Sequence, residues 1–470
     1  MIRPLKITAL LLFSASIVVA QEVRTDPTNY WVQTKTWEEP LSSTQLIESS
    51  LTASGLTGEN LDHYINKYNQ LIGNFKNDLN SSSNNLSFYN KGEYILNWAY
   101  KNILNHYIEK QTSMDKLLDT GNYNCVSSAV FYLILSKEAG IETKTIETSD
   151  HAFCTVKTEK GWIDVETTTV FGFDPGIKKE FQKSFNQTGY SYVPPGNYHN
   201  RKQIGDKETV ALILQNRMSA LQKQNNHSEA VGIAVDRWIL WENKTSQKDM
   251  NDAFRNWAAV LNNNGNYIDA FNFLKEVSEK YKLKDINRDL LYSLSYNELI
   301  EFTKNKNFPE AEYFLNSSSK ALPEQDLKKL KQILVQEQVS ETVKNGSYEQ
   351  SLPLVRQAYS SSGITRSVWK NWITVLHQNK ALEIAQSSGW WDAWQFLKDL
   401  PQEEKTLSGI VSSTNTAHDN WSFEVHNKFA DLFNSKNTVH AEQVLLQALK
   451  KDPNNKYLLK DLSILKKMKP

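Results

Sequence analysis

The chain has 470 residues, with 53 basic and 53 acidic side chains and therefore no net charge at pH 7. Because nucleic-acid binding requires a basic footprint, this balance argues against nucleic acid as the main partner. The chain is longer than one hydrophobic core usually serves, so we expect about two or three domains.

Residues 1–20 have the pattern of a secretory signal peptide. A short basic start precedes an apolar run from Ile7 to Ala20, and small residues at its end indicate cleavage between Ala20 and Gln21. An uncleaved anchor is the alternative, but the run is shorter than the roughly 20 apolar residues that span a bilayer. No later segment has spanning length. We therefore expect an exported protein, periplasmic or secreted, without a membrane span in its mature form.

Residues 21–120 are predicted to form an N-terminal helical segment. A polar, loosely held arm is expected at its start, within residues 21–60. Apolar positions at helical spacing predict one helix over 61–72 and a second over about 91–109. Clustered Asn and Ser residues predict a break between them, at 77–86.

Residues 121–205 combine one helical pattern with several β patterns. The stretch 126–139 is apolar almost all round, which is typical of a helix in a core, and Gly140 is a natural stop for it. Three segments rich in β-forming residues follow: Glu142–Thr148, His151–Lys157 and Trp162–Thr168. A turn-like stretch joins the last two, so we predict an α+β domain with antiparallel strands.

Cys125 and His151 are the candidate nucleophile and base. Cys125 opens the predicted buried helix, where unpaired N–H groups and the helix dipole stabilise a thiolate. His151 begins the second predicted strand after this helix and can serve as general base. A buried inert thiol and an exposed strand-end histidine are the structural alternatives. Strand alternation turns Cys154 away from His151, into the core. In an oxidising compartment, a disulfide between Cys125 and Cys154 is a further alternative.

The acid that would orient the histidine is either Glu166 or Asp164. A two-residue turn would place both on the face of His151, with Glu166 nearer by one pleat repeat, whereas a three- or five-residue turn would move both to the far face. We therefore favour Glu166 and hold Asp164 in reserve. Together with Cys125 and His151, one such acid has metal-binding chemistry, but no tight ligand pair accompanies them. No metal or other cofactor is predicted.

Residues 206–470 show only helical patterning, and that patterning repeats. The motif over 265–270 recurs loosely over 306–311 and 346–351. Weaker copies end at Ala230, Ala393 and Ala441. The copies are 40 to 48 residues apart, which resembles a tetratricopeptide-like array of helical hairpins. Such an array serves either as a stabilising platform or as a concave surface for a peptide or protein partner.

The block from Gly121 to Pro175 resembles the core of the transglutaminase-like superfamily. The resemblance rests on Asn-Cys before a buried helix, then His-Ala-Phe at 151–153, then Gly-Trp-Ile-Asp-Val-Glu-Thr-Thr at 161–168. That family has a papain-like architecture, with a cysteine at a helix N-terminus and a histidine and an acid on successive strands. The resemblance implies Cys125 as nucleophile, His151 as base and Glu166 as orienting acid, although the family usually has aspartate at the last position.

The resemblance also implies a function. We expect an exported thiol enzyme that acts on amide bonds of protein or peptide substrates through a thioester, with hydrolysis favoured over cross-linking by analogy with peptidase-like bacterial members. Tyr123 or Asn124 would help to form the oxyanion hole. The alternative is an inactive fold that serves as an envelope protein-binding or scaffolding module. The overall expectation is a papain-like α+β domain followed by an all-α helical-repeat array, mostly α in total.

Overall fold

The computed structural model describes residues 23–82, 86–176, 178–197 and 200–467. It is predominantly helical with one small four-stranded sheet and one two-stranded sheet, which confirms the expectation of a mostly α protein. The predicted signal peptide lies outside the described residues. Within the described ranges, no helix is both long and apolar enough to cross a bilayer. The chain divides into two compact units, with the division between Asn287 and Arg288.

The first unit begins with helices and two very short strands. These are α1 (Asn29–Thr36), α2 (Ser43–Ala53), α3 (Gly58–Ser82), α4 (Phe88–Asn102), β1 (His106–Tyr107), α5 (Met114–Thr120) and β2 (Asn122–Tyr123). The prediction of a loose arm is wrong, because α1 and α2 both lie within residues 21–60 and Arg24, ahead of α1, forms an ion pair with Asp236 at 2.6 Å. Helix α2 looks polar in sequence, yet Ser49 and Ser50 are fully buried and donate their hydroxyls to the carbonyls of Gln45 and Ile47.

The break predicted at 77–86 comes too early. Helix α3 continues to Ser82 because Phe75 and Leu79 extend its buried stripe. The Trp98 indole, on α4, also donates to the Asp78 carboxylate at 2.8 Å, which holds the last turns of α3 in place. Helix α4 ends at Asn102 rather than near residue 109, because the chain then turns into β1, which pairs in parallel with β2.

The central helix and the first three strands of the sheet lie where the sequence predicts them. The elements are α6 (Cys125–Glu138), β3 (Thr143–Glu147), β4 (Ala152–Thr158), β5 (Gly161–Val165), α7 (Lys179–Phe185) and β6 (Lys202–Ile204). Strand β5 ends at Val165 rather than Thr168 because the chain then turns back onto the strand, and α7 was not predicted. The four strands form one antiparallel sheet in the order β5-β4-β3-β6, and α6 packs on β3 and β4. Strand β6, with three residues, was too short to predict.

The register of β4 and β5 decides which faces their side chains share. Thr158 pairs with Gly161 across a two-residue turn, and Thr155 pairs with Asp164. This is one of the two registers that place Glu166 and Asp164 on the face of His151. The three- and five-residue turns that would have moved both acids away do not occur.

The first unit ends in long helices. They are α8 (Asp206–Lys223), α9 (His227–Leu240), α10 (Lys244–Asn263) and α11 (Tyr267–Lys280), followed by α12 (Lys284–Lys304), whose first turn belongs to this unit. The predicted domain boundary at 205/206 does not separate compact units. Asp206 explains why, since its carboxylate accepts from the Leu41 backbone at 2.7 Å and from Lys137 at 2.8 Å. Helix α8 is thereby bound to the segment before α2 and to α6.

The second unit contains only helices among its described residues. Besides the rest of α12, they are α13 (Phe308–Ser317), α14 (Glu324–Asn345), α15 (Tyr348–Ser360), α16 (Arg366–Ser388), α17 (Trp390–Lys398), α18 (Gln402–Lys405), α19 (Ser408–Asn434), α20 (Thr438–Lys451) and α21 (Lys456–Lys467). This agrees with the purely helical pattern of the sequence.

The small residues that mark the sequence repeat occupy one structural position. Each is the fourth residue of a helix and each is fully buried: Ala230, Ala270, Ala311, Ser351, Ala393 and Ala441. A small side chain at this position lets a neighbouring helix approach closely. Ala441 of α20, for example, packs in one core cluster with Trp421 of α19 and Leu458 of α21. The repeat in the sequence is therefore also a repeat in the packing.

Candidate active site

Cys125 is the first residue of α6, and the cap of this helix positions it. The Asn124 side chain accepts a hydrogen bond from Ser127 N at 3.0 Å, while the Ser127 hydroxyl accepts one from Asn124 N at 2.9 Å. This capping box satisfies the third N–H of the helix and leaves those of Cys125 and Val126 without intrahelical partners. Cys125 is 6% exposed. The thiol therefore lies at the positive end of a buried helix dipole.

His151 joins the thiol to a buried carboxylate. Its Nε2 lies 2.8 Å from Glu166 Oε2, and its side chain is almost completely buried. Nδ1 makes no ordinary hydrogen bond within the described residues, and the Cys125 thiol is a neighbour of the ring. Burial opposes a charge on the imidazole, but Glu166 and Cys125 outweigh it and raise the pKa of His151 to about 10. The arrangement favours an imidazolium between two acidic groups.

Glu166 is held on both of its oxygens. Oε2 contacts His151, and Oε1 accepts from the Thr168 backbone at 3.1 Å and from the Thr168 hydroxyl at 2.7 Å. The intervening Thr167 hydroxyl is 2.9 Å from that of Ser128 on α6, and its carbonyl accepts from Tyr100 at 3.0 Å. The favoured acid is thus the one in contact with the histidine. The contact of the neighbouring Thr167 with Ser128 also links its position to α6, the helix that carries the thiol.

A glycine supports the backbone beneath this acid. Gly172 O accepts a hydrogen bond from Glu166 N at 2.8 Å, which folds the loop after β5 back onto the strand. A Cβ at Gly172 would lie only 1.8 Å from Glu166 O. Only glycine permits this approach of two backbones.

Asp164, the reserve acid, has a different task. Its carboxylate accepts two hydrogen bonds from the Arg201 guanidinium, both at 2.8 Å, and one from the Tyr192 hydroxyl at 2.6 Å. None of its side-chain hydrogen bonds in the described residues goes to His151. Although Asp164 shares a face with the histidine, it binds Tyr192 and Arg201 to the sheet rather than orienting the base.

We expect Asp164→Asn to destabilise the first unit without inactivating the thiol. Asp164 and Arg201 are both largely buried, and removing one partner would leave a buried charge unpaired, at a cost of about 3–5 kcal/mol. Thermal unfolding would measure the loss. The control is Asp252→Asn, which removes an exposed ion pair with Lys248 and should change little. A melting temperature for Asp164→Asn equal to that of the control would contradict the prediction.

Aromatic rings surround the imidazole. Tyr190 stacks on His151 with the ring centroids 4.5 Å apart and an interplanar angle of 27°, and the Phe185 ring lies 5.5 Å away. Sequence reasoning missed both residues, because Phe185 ends α7, a helix of only seven residues, and Tyr190 lies in the irregular stretch that follows it. Together they shield the imidazole from water, consistent with the 5% exposure of His151.

Cys154 lies on the opposite face of β4, as predicted. It is fully buried, and its thiol lies 3.4 Å from Ala129 O of α6. Burial raises the pKa of the Cys154 thiol well above its ordinary value. Both cysteines are free thiols, so the disulfide alternative does not apply to this structure. Cys154 therefore packs the core and is the less reactive of the two by environment.

The thiol opens into a polar cavity of about 280 Å³. The lining comes from the segment between β1 and α5, the start of α6, the end of β3 with the loop after it, Tyr190 and helix α8. It includes Glu109, Cys125, Glu147, His151, Tyr190 and Asn216. Helix α8 lies within residues 206–470, which were predicted to form helical repeats, and nothing in the sequence indicated that it forms a wall of this site. Across the described ranges, no cluster of three or more His, Cys, Asp or Glu side chains is arranged to hold a metal ion.

The side chains expected to help form an oxyanion hole, those of Tyr123 and Asn124, already make hydrogen bonds to other residues of the protein. The Asn124 amide donates to Thr112 Oγ1 at 2.7 Å and to Glu109 O at 3.1 Å. The Tyr123 hydroxyl lies 3.0 Å from that of Tyr100. Both residues thus position the start of α6, whose first N–H groups remain as donors.

Comparison with known proteins gives no family assignment. No protein-family model matches the chain, and a search of curated proteins found no match. The chemistry of the cavity is therefore argued from its own residues, a thiol at a helix N-terminus beside a buried imidazole–carboxylate pair.

Proposed function

We propose that this chain is an exported thiol enzyme of transglutaminase-like type that acts on amide bonds of protein or peptide substrates. The observation that carries the proposal is the buried His151–Glu166 pair beside the Cys125 thiol at the start of α6. An inert core cysteine has no need of a buried base held by a carboxylate. A thiol nucleophile needs both.

The chemistry follows from the roles of the three side chains. Cys125 transfers its proton to His151, and the thiolate attacks the carbonyl carbon of the amide to form a C–S bond. The imidazolium then donates a proton to the departing nitrogen as the C–N bond breaks, which leaves a thioester. Glu166 remains ionised throughout and stabilises the imidazolium, as the orienting acid of a triad does.

The second half of the reaction uses the same groups in reverse. His151 takes a proton from a water molecule, the resulting hydroxide attacks the thioester carbonyl, and the thiolate departs. We expect water rather than an amine in this step, so that the net reaction is hydrolysis. The helical repeats, which we propose to be tetratricopeptide-like, would hold a protein or peptide substrate or partner.

A non-catalytic binding module is the second candidate. The low exposure of Cys125 and His151, at 6% and 5%, favours it, because a substrate must reach both groups. Reactivity of the thiol distinguishes the enzyme from the binding module, since a site without catalytic activity does not require a reactive thiolate.

The test is the rate of iodoacetamide alkylation from about pH 5 to pH 9, mapped by peptide mass to each cysteine. For an enzyme we expect rapid labelling of Cys125 at neutral pH and loss of that labelling in His151→Ala. Cys154, buried in the same domain, is the internal control and should label slowly throughout. Slow labelling of both cysteines in the native chain would instead support the binding module.

A further inference from the structure

Three consecutive threonines follow Glu166 in the loop after β5, and all three are buried. Thr167, Thr168 and Thr169 are 0%, 5% and 3% exposed. Threonine is mostly an exposed residue, and a buried hydroxyl lowers stability unless it makes a hydrogen bond. Each of these hydroxyls has a partner, and each partner belongs to a different part of the candidate site. The run therefore connects parts of the site that are distant in sequence.

Thr167 connects the run to the helix that carries the thiol. Its hydroxyl lies 2.9 Å from that of Ser128, and the Ser128 hydroxyl donates to the Cys125 carbonyl at 3.3 Å. Because the only hydrogen of the Ser128 hydroxyl is used in the second bond, Thr167 is the donor in the first. The two bonds thus lead from the loop that carries the acid to the backbone of the thiol residue itself.

Thr169 connects the same run to α7. Its hydroxyl donates to that of Ser184 at 2.7 Å and accepts from the Phe171 backbone at 3.3 Å. Ser184 precedes Phe185, whose ring centroid lies 5.5 Å from that of His151. The run is therefore also bound to the helix that contributes part of the aromatic cover of the imidazole.

Thr168, between these two anchors, contacts the acid directly. Its hydroxyl and its backbone N–H both donate to Oε1 of Glu166, at 2.7 and 3.1 Å, while Oε2 lies 2.8 Å from His151 Nε2. The last torsion of a glutamate side chain has a broad, roughly two-fold preference, so the side chain alone does not fix the plane of its carboxylate. A short hydrogen bond to a carboxylate is about twice as strong as one between neutral groups, and it can fix that plane.

We propose that Thr168 is a positioning residue for the thiol chemistry, whose hydroxyl fixes the Glu166 carboxylate so that Oε2 faces His151. Thr167 and Thr169 hold Thr168 in place against α6 and α7. A carboxylate fixed in this way holds the imidazole in one orientation, as the acid of a triad does. The inference rests on the proposed function and names a further residue in it.

Removal of this hydroxyl has a distinctive expected effect. Thr168→Val nearly preserves the shape of the side chain but leaves Glu166 Oε1 with only the bond from the backbone. Turnover through Cys125 should fall by about 10–100-fold, as it does when residues that orient metal-bound histidines are replaced. Thr168→Ser retains the hydroxyl and should therefore retain most of the wild-type rate.

The proton NMR signal of the His151 Nε2–H group tests the positioning itself. A proton shared between an imidazolium and a carboxylate resonates far downfield, and its position reports the length of the hydrogen bond. Three other histidines also contact carboxylates, so the signal is assigned by its loss in His151→Ala: His377, His418 and His426. We expect the signal in wild type and in Thr168→Ser, and its upfield shift or loss in Thr168→Val.

The experiment compares full-length wild type, Thr168→Val, Thr168→Ser and Thr155→Val. Steady-state release of p-nitrophenolate from p-nitrophenyl acetate measures turnover, with Cys125→Ala as the baseline. Thr155 is the matched control, because it is also buried and its hydroxyl donates to Ile163 O at 3.2 Å rather than to the acid. Thr155→Val should lower the melting temperature and leave both turnover and the NMR signal unchanged.

The proposal requires that Thr168→Val change both turnover and the signal, and a change in only one of them, or in neither, would overturn it. Equal losses in Thr168→Val and Thr168→Ser would also overturn it, because the hydroxyl would not then be the group responsible. If Thr168→Val does not fold, Thr168→Ala replaces it, since alanine and serine differ only in the hydroxyl. Failure of the proposed function would look different: a wild-type chain without Cys125-dependent release of p-nitrophenolate and with an unreactive thiol would overturn the enzyme itself, and the catalytic role of Thr168 with it.

Discussion

Glu166→Gln is expected to lower turnover at Cys125 by roughly 10²–10⁴-fold while the protein remains folded. Glutamine retains the size of the side chain but not its charge, and the charge is what holds an imidazolium at 2.8 Å in a buried site. Without it, burial dominates and the pKa of His151 falls. The measurement is the pH dependence of Cys125 alkylation, together with turnover of any amide substrate that is found.

The same substitution should change the dependence of stability on pH. The pKa of His151 in the folded protein, about 10, lies above its ordinary value of 6.5. Its protonated form therefore contributes stability that is complete below about pH 6.5 and is lost as the pH rises through about 10. In Glu166→Gln this loss should occur at lower pH, which NMR titration of the imidazole ring would follow.

Asp164→Asn is the matched control for Glu166→Gln. Both changes replace a buried carboxylate by its amide on the same face of the sheet, but Asp164 is bound to Arg201 and Tyr192 rather than to His151. It should retain the alkylation rate of Cys125. If Glu166→Gln proves harmless and Asp164→Asn does not, the assignment of the orienting acid is wrong.

Gly172→Ala should be among the most destabilising single substitutions in the first unit. The added Cβ would lie 1.8 Å from Glu166 O and 3.0 Å from Glu166 Cβ, and the first of these is a backbone atom. The backbone cannot retreat without breaking the bond from Glu166 N to Gly172 O. We expect the free energy of unfolding to fall by about 4 kcal/mol or more. We also expect Glu166 to be displaced and the reaction of the Cys125 thiol to be slower.

The control for Gly172→Ala is Gly73→Ala in α3. An added Cβ at Gly73 meets no heavy atom within 4 Å, and alanine favours a helix over glycine by about 0.5–1 kcal/mol, so the control should be neutral or stabilising. Thermal unfolding followed by near-ultraviolet circular dichroism would compare the two. A melting temperature for Gly172→Ala at the wild-type value would show that the loop does not approach the strand this closely.

Local pattern predicted most relations at the centre of the candidate site but left the length of the β4–β5 turn open. The apolar run after Cys125 specified α6, and the alternation along β4 separated His151 from Cys154. A two-residue turn then fixed the register, and with it the nearness of Glu166 to the histidine. Each of these relations is between neighbours in sequence, where the helical and strand periods determine the face on which a side chain lies.

Relations between distant residues could not be predicted in this way. The partner of Asp164 is Arg201, from an irregular stretch, and nothing local distinguishes that aspartate from one that orients a base. The pairing of Tyr107 with Tyr123 depends on two-residue strands that carry no pattern. Helix α2 was missed for another reason: its buried serines satisfy their own hydroxyls within the helix, so its composition looks like that of a loop.

Helix α8 limits how this protein can be divided or recombined. Asn216 of α8 donates to Thr112 Oγ1 at 2.9 Å, and the same oxygen accepts a hydrogen bond from Asn124, the N-cap residue of α6. A fragment ending at residue 205 would lose this support and expose the apolar face that α8 covers. Helix α8 therefore belongs to the same compact unit as the candidate site, and a division of the chain before α8 would separate residues that support each other.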